Sequence, residues 1–478
     1  MHIVDISIIV AFLIATLYIG FSSGKKIKTF SDYAIGNRKF SDFAIFCTVA
    51  ATAIGGTTTM GNVGKTYEIG ITQILMQIGV PITYAITCIF LASRFVNYYG
   101  CYSLGDMFHK SYGLSGRVLA GFIGFIYEIL GVGLQFIAMG TAISVLTGLS
   151  YLTSLLVAGS IILIYTGRGG VRAVTFTDVL QFIVLILAIP ILLIVVLGKI
   201  GGFQELIVQL PQTHKTIDGE NLRRYLFLML PMILPTLAPH HIQRLLMTKN
   251  REQGIKAYGN VSLICLFVAI LAVLLGLSAK ILLPNLLRSD QTLLILISNY
   301  LPTGVFGISV IGILAVLMSS ADSLLNIGSI TLVNDIIIPY NKYIRKKELS
   351  ERENLQWVRN ASIVVGIGAI IFASQRAGIF ETRILIRTMW VPMMLAPLYF
   401  ILFNMKIPLK GLFVSAIIGL STCILWNLNI KPITKIDGLF PGFFANVITV
   451  LFFYFLGGRQ KVFSKEELEA KRLAEMQA

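Results

Sequence analysis

AATAIGGTTTMGNV, residues 50–63, reads as a membrane helix that cannot run unbroken. Gly55 and Gly56 stand side by side, and Thr52, Thr57, Thr58 and Thr59 flank them in otherwise apolar surroundings. In lipid an unpaired backbone group costs several kcal/mol, so irregular backbone survives only where it lines a cavity inside the protein. A second damaged stretch lies between Phe227 and Leu246, where MLPMILPTLAPHHIQRLL (229–246) carries Pro231, Pro235 and Pro239. Two interrupted hydrophobic segments at corresponding places in two halves of a chain point to the binding site of a transporter.

Composition sets the class. Mean hydropathy is +0.81. Of the 478 residues 56% are hydrophobic and 13% charged, against roughly 25% charged in a soluble domain. Thirteen apolar runs recur, at 4–22, 41–63, 72–93, 118–147, 150–166, 176–198, 225–243, 258–284, 303–333, 360–375, 385–404, 411–428 and 438–457. Most are long enough for a hydrocarbon core of ~30 Å. The expected class is therefore an all-α integral membrane protein of about thirteen transmembrane helices, bounded by the lipid bilayer.

The first span has no basic segment before it, and Asp5 stands where one would be, so it reads as a retained helix and not a signal peptide. The net charge of +16 does not signal nucleic acid. With the N-terminus outside, most Lys and Arg fall in cytoplasmic loops and the C-terminal tail, as positive-inside topology requires. The run RKK at 345–347 fits that role. Cys47, Cys88, Cys101, Cys265 and Cys423 have no CxxC spacing and suggest neither a disulfide framework nor a metal site. No HExxH, GxSxG or paired-acid motif suggests an enzyme.

If each broken span opens a repeat, the chain divides into an N-terminal extra helix and inner loop (1–40), a first five-helix repeat (41–198), an outer loop (199–224), a second five-helix repeat (225–404), two C-terminal helices (405–458) and a cytoplasmic tail (459–478). Five is odd, so the second repeat enters from the opposite side and the repeat is inverted.

Polar groups at membrane depth are the candidate site. Ser319 and Ser320 lie in AVLMSSADSLLNIGS (315–329). With carbonyls freed at a broken helix they could form an oxygen cage for a hard cation. The alternative is helix packing, but Asp322 and Ser323 nearby favour function, because an intramembrane carboxylate is expensive. Asp178 has open readings: a cation exit site, or else a helix-start acid or a partner for Arg172. His240 and His241 follow Pro239, where an imidazole could meet substrate or gate the cavity. Gln77, Gln135, Glu128 and Arg387 are further polar groups. Gln77 is expected to face the first break, and Glu128 to pair with another helix. Arg387 is read preferentially as snorkelling to the outer interface, with neutralisation of an anionic substrate as the alternative.

Four motifs in combination, SDYAIGNRKFS (31–41), YTGRGGVRAVTFTDVLQ (165–181), PHHIQR (239–244) and MSSADSLLN (318–326), resemble the sodium:solute symporter family. The resemblance spans about 5–458. It implies the five-plus-five inverted repeat of the leucine transporter type, with one extra helix before it and two after, and alternating access driven by sodium. It places sodium on the carbonyls of Ala51, Ile54 and Val316 and the hydroxyls of Ser319 and Ser320. Asp178 matches an acid implied to help sodium leave, and substrate contacts map to Thr57, Thr58, Gln77 and His240. One departure is Ala53, where proline-type members carry an acid and sugar-type members an amide; this bears on ion choice. The absence of an acid and amide cluster argues against a hexose.

The expected function is sodium-coupled import of a small organic solute, an amino acid or organic acid, through a bacterial inner membrane. Sodium is the coupling ion, with no organic cofactor and no obligatory protein partner. Alternatives are proton coupling through Asp178, Glu128 or the histidines, and a membrane sensor that signals through a separate partner.

Overall fold

The computed structural model describes the chain apart from residues 1, 26, 218, 220, 221, 223–225, 227, 228, 230–232, 376, 377, 435, 465 and 472–478. The described residues are helical nearly throughout. The principal helices are α1 (Ile3–Gly24), α2 (Phe30–Ile35), α3 (Asp42–Ala53), α4 (Asn62–Ile69), α5 (Gly79–Ile86), α6 (Leu104–Thr147), α7 (Tyr151–Ile200), α8 (Pro239–Leu246), α9 (Arg251–Leu282), α10 (Val305–Leu332), α11 (Glu351–Ala373), α12 (Ile379–Leu402), α13 (Leu409–Asn429) and α14 (Leu439–Leu456).

Ten stretches among the described residues are helical, long and apolar enough to cross a bilayer. They differ from the thirteen expected runs for physical reasons. Run 41–63 is split, its first half being the short helix α3 and its second half joining the helices up to Tyr98. Runs 150–166 and 176–198 share α7. At 1.5 Å per residue the 50 residues of α7 would extend ~75 Å, more than twice a bilayer core. Gly170 divides it, at φ 50° and ψ −158°. A Cβ there would lie 2.9 Å from the Tyr33 carbonyl oxygen, so only glycine fits both the backbone angle and the space. Run 225–243 lies partly outside the described residues, which omit Phe227 and Pro231 among others.

α10 is the centre of the bundle. It packs on α6 and α7, and α1 leans on α7 and α10. Burial separates core from rim: 89% of the apolar 18-residue stretch within Val305–Ile344, the span that begins with α10, is buried, against 22% for that of α1 and 28% for that of α14. α13 and α14 pack on each other, and α14 also on α12, at the edge. The exposed apolar residues of these rim helices, such as Ile14, Ile417 and Phe452, are lipid-facing in a bilayer. Asp5 is buried and accepts hydrogen bonds from the N–H groups of Gly304 (2.8 Å) and Gly307 (2.9 Å). It therefore satisfies the open N-terminus of α10 from another helix.

Candidate functional site

The first break forms as its residues dictate. α3 ends at Ala53, and Ile54 turns to φ −102°, ψ 84°. The Thr58 and Thr59 N–H groups both reach back to the Gly55 carbonyl, at 3.0 and 3.2 Å. Their hydroxyls donate to the same oxygen, at 2.8 and 3.1 Å. The Gly56 N–H donates to Gln135 Oε1 at 3.1 Å. A wide turn over Thr57–Gly61 then leads into α4. Side chains thus replace the lost ladder, as a protein interior requires.

α10 crosses this break closely. The Ser319 hydroxyl lies 3.1 Å from the Val316 carbonyl and 3.2 Å from the Ala51 carbonyl, with one proton between two acceptors. The Ser320 hydroxyl is buried and has no hydrogen-bond partner among the described residues. A Cβ on Gly55 would come within 2.8 Å of it. Ala51, Val316, Ser319 and Ser320 are thereby brought to one place, with Ile54 at the point where α3 stops.

Deeper in the bundle lies a buried polar chain. Thr52 and Ser323 hydroxyls are 3.2 Å apart. Arg244 Nη2 donates to Ser323 Oγ at 2.5 Å and lies 3.4 Å from Asp178 Oδ2. The Thr48 hydroxyl donates to Asp178, and Asp322 accepts from the Tyr165 hydroxyl at 3.0 Å. Both alternative readings of Asp178, as a partner for Arg172 and as a helix-start acid, are corrected. Arg172 pairs with Asp32 at 3.1 Å, and α7 restarts at Gly170, two turns before Asp178. Arg244, inside PHHIQR, is the partner that sequence spacing did not reveal.

The second break is held in the same way. Residues 235–238 are non-helical. Thr83 Oγ1 donates to the Ile233 carbonyl (3.0 Å), Tyr399 to Pro235 (2.7 Å) and Trp390 Nε1 to Thr236 (2.6 Å). Helix α8 then starts at Pro239, a position where a proline lacks nothing. Glu128 completes its start: Oε1 accepts from the His240 N–H (3.2 Å) and meets His240 Nδ1 at 2.8 Å. Glu128 therefore pairs with another helix, as expected. The His240 ring stacks on Tyr127 with centroids 6.2 Å apart, and His241 Nε2 meets the Tyr84 hydroxyl at 3.0 Å.

Between the breaks is a cavity of about 130 Å³. Thr57, Thr58, Gln135, His240, His241 and Ser320 line it, and so does Ala53. Gln77 does not. It is buried in a separate small space with Ile54, Thr58 and Asn62. Arg387 faces the cavity together with Arg383, so the snorkelling reading is corrected: the arginine turns inward on α12. Arg383 was missed. Its signal was present in ETRILIRT (381–388), where two arginines four residues apart share a helix face.

A model of the sodium:solute symporter family matches residues 33–419. The chain belongs to the sodium:solute symporter family. It is accordingly an integral membrane protein and a sodium-coupled symporter of small solutes, not an enzyme. Among relatives in the family, sodium/proline symporter 2 of Staphylococcus saprophyticus is 27% identical, over 94% of this chain and 91% of that protein. The sodium/proline symporter of Staphylococcus aureus is 25% identical, over 93% and 90%. Among solved structures, a Na+-coupled sialic acid symporter in a substrate-bound outward-open state superposes with a TM-score of 0.80 at 19% identity, covering 97% of this chain and all of that one. Mhp1, a nucleobase-cation-symport-1 family transporter, gives 0.61 at 14% identity, covering 92% and 98%. These likenesses establish the fold that the broken helices and the resemblance led us to expect.

Proposed function

We propose that this symporter binds sodium on the carbonyls of Ala51, Ile54 and Val316 and the hydroxyls of Ser319 and Ser320, and a small amino acid or organic acid in the adjoining cavity. The observation that carries the reading is the 3.2 Å approach of the Ser319 hydroxyl to the Ala51 carbonyl beside Ser320, whose hydroxyl has no partner among the described residues. Hard oxygen donors of mixed neutral type suit sodium. Thr57, Thr58 and His240 contact the solute. Gln77, in its separate space, is left out of that contact set. The cavity is small beside the ~300–1,000 Å³ of drug-sized sites, which favours a small solute. Asp178 serves as a waystation for departing sodium. The sodium/proline relatives support an amino acid and the sialic acid symporter supports an acid.

Transport follows alternating access in a bacterial plasma membrane, N-terminus outside and C-terminus inside. The repeats at 41–198 and 225–404 rock about the site. A ligand shifts such an equilibrium only through its differential affinity for the two states. Sodium entry is also driven by the membrane potential, at ~2.3 kcal/mol per charge per 100 mV. The test is thermal stability of the purified protein in sodium against potassium. A sodium-specific rise supports the site; equal stability in both ions sinks it.

A second reading is proton coupling, favoured by the buried pair that the wall residue His240 forms with Glu128 behind it and by Ala53 in place of a polar group. Uptake in sodium-free buffer at varied pH separates the two.

A further inference from the structure

The cavity wall has a marked imbalance of charge. Arg383 and Arg387 project into it from α12, and His240 and His241 from α8, while no carboxylate among the described residues lines it. Arg383 forms no salt bridge with any described residue. Glu128 stands behind His240 and accepts from it. Asp178 and Asp322 belong to the polar chain further in.

Two guanidinium groups four residues apart on a helix repel each other. Cations at membrane depth are expensive and mark the path of a ligand or ion. A guanidinium fork matches a carboxylate bidentately. The same cavity offers Val80, Leu134, Leu324 and Ile386 as an apolar wall for the rest of the solute.

We propose that the solute is a small organic acid without an ammonium group, its carboxylate seated on the Arg383–Arg387 pair. This rests on the cavity being the solute site, as argued above. A zwitterionic amino acid would bring its ammonium among two arginines and two imidazoles with no acid among the described residues of the wall to receive it. Sodium beside Ser320 would add another positive charge to the same wall. Anion and sodium therefore strengthen each other's binding, and by the same factor in both directions. The coupling is electrostatic and needs no direct contact between the two.

The experiment uses the full chain in lipid nanodiscs. Thermal stability is titrated with mono- and dicarboxylic acids of two to six carbons, with proline and with glucose, in sodium and in potassium. The expected result is stabilisation by at least one acid, stronger in sodium, with proline and glucose silent. Arg383→Gln and Arg387→Gln should each raise the half-saturating acid concentration at least tenfold, and Arg383→Lys should recover part of the loss. All three should keep the stabilisation by sodium alone, which shows that they are folded. Were a variant to lose that response, the wild-type contrast between acids and proline decides by itself. Proline acting as well as the acids, no acid acting, or folded variants with wild-type half-saturation would each overturn the proposal while leaving the sodium site standing. Acid stabilisation identical in sodium and potassium would instead remove the sodium reading and keep the anion one.

Discussion

The hydroxyl of Ser319 lies 3.2 Å from the carbonyl oxygen of Ala51, joining the most enclosed helix of the bundle to the end of a broken one. Residues 268 positions apart in sequence are thereby held in one oxygen cluster. Removing the neighbouring hydroxyl should weaken the cluster without unfolding the protein. Ser320→Ala is expected to raise the sodium concentration for half-maximal uptake about tenfold, equivalent to ~1.4 kcal/mol. Sodium titration of transport checks this, with membrane insertion unchanged; an unaltered sodium curve would remove Ser320 from the ligand set.

Gly55→Ala should act on the same cluster from the opposite side. The added Cβ would sit 2.8 Å from Ser320 Oγ and 3.1 Å from Gln135 Nε2, so one of them must move. Overpacking of this kind typically costs ~1–3 kcal/mol. The variant should lose sodium-dependent stabilisation more completely than it loses melting temperature. A thermal scan with and without sodium separates the two effects.

The Arg244–Asp178 pair is fully enclosed, with side-chain exposures of 1% and 0%. Arg244→Gln leaves a buried acid without its cation and should cost about 3–5 kcal/mol. Arg244→Met combined with Asp178→Asn should recover much of that loss, because no uncompensated charge remains. Melting temperatures of the single and double variants give the comparison. Additive losses would mean that the two side chains do not act on each other.

Glu128→Ala deprives the start of α8 of its acceptor and should destabilise by about 1–3 kcal/mol. Glu128→Gln keeps an acceptor oxygen and should melt near the wild type. The same substitution tests proton coupling. Under sodium coupling, uptake by Glu128→Gln keeps its sodium dependence, whereas a proton carried on Glu128 would make that variant insensitive to pH.

Much of this architecture was legible in local sequence. Gly55–Gly56 announced the first break, since adjacent glycines in an apolar run have no packing reason to be there. The prolines announced the second, and the serine pair lay within a run too long and apolar to be a loop. What escaped was information carried by distance along the chain. Asp178 looked toward Arg172, six residues away, because sequence shows only near neighbours; its partner Arg244 comes from the other half of the protein. Arg387 read as an interfacial anchor because hydropathy gives depth but not the direction a side chain faces. Arg383 was overlooked for the same reason, and together they set the charge of the cavity. Gln77 does face the first break, beside Ile54 and Thr58, but from a space separate from the cavity, since a fraction of a turn about a helix axis decides which space a side chain enters.

Asp5 ties the first helix of the chain to the N-terminus of α10 through two backbone N–H groups. α1 is largely lipid-facing, so a label on its outer surface would disturb little. Because its only buried carboxylate grips the helix that carries Ser319 and Ser320, any tilt of α10 must drag α1 with it. The least enclosed of the ten described spans is thus a lever on the most enclosed one. A fluorophore at Ile14 or Tyr18 would report, from the lipid side, motion at a site no probe could enter.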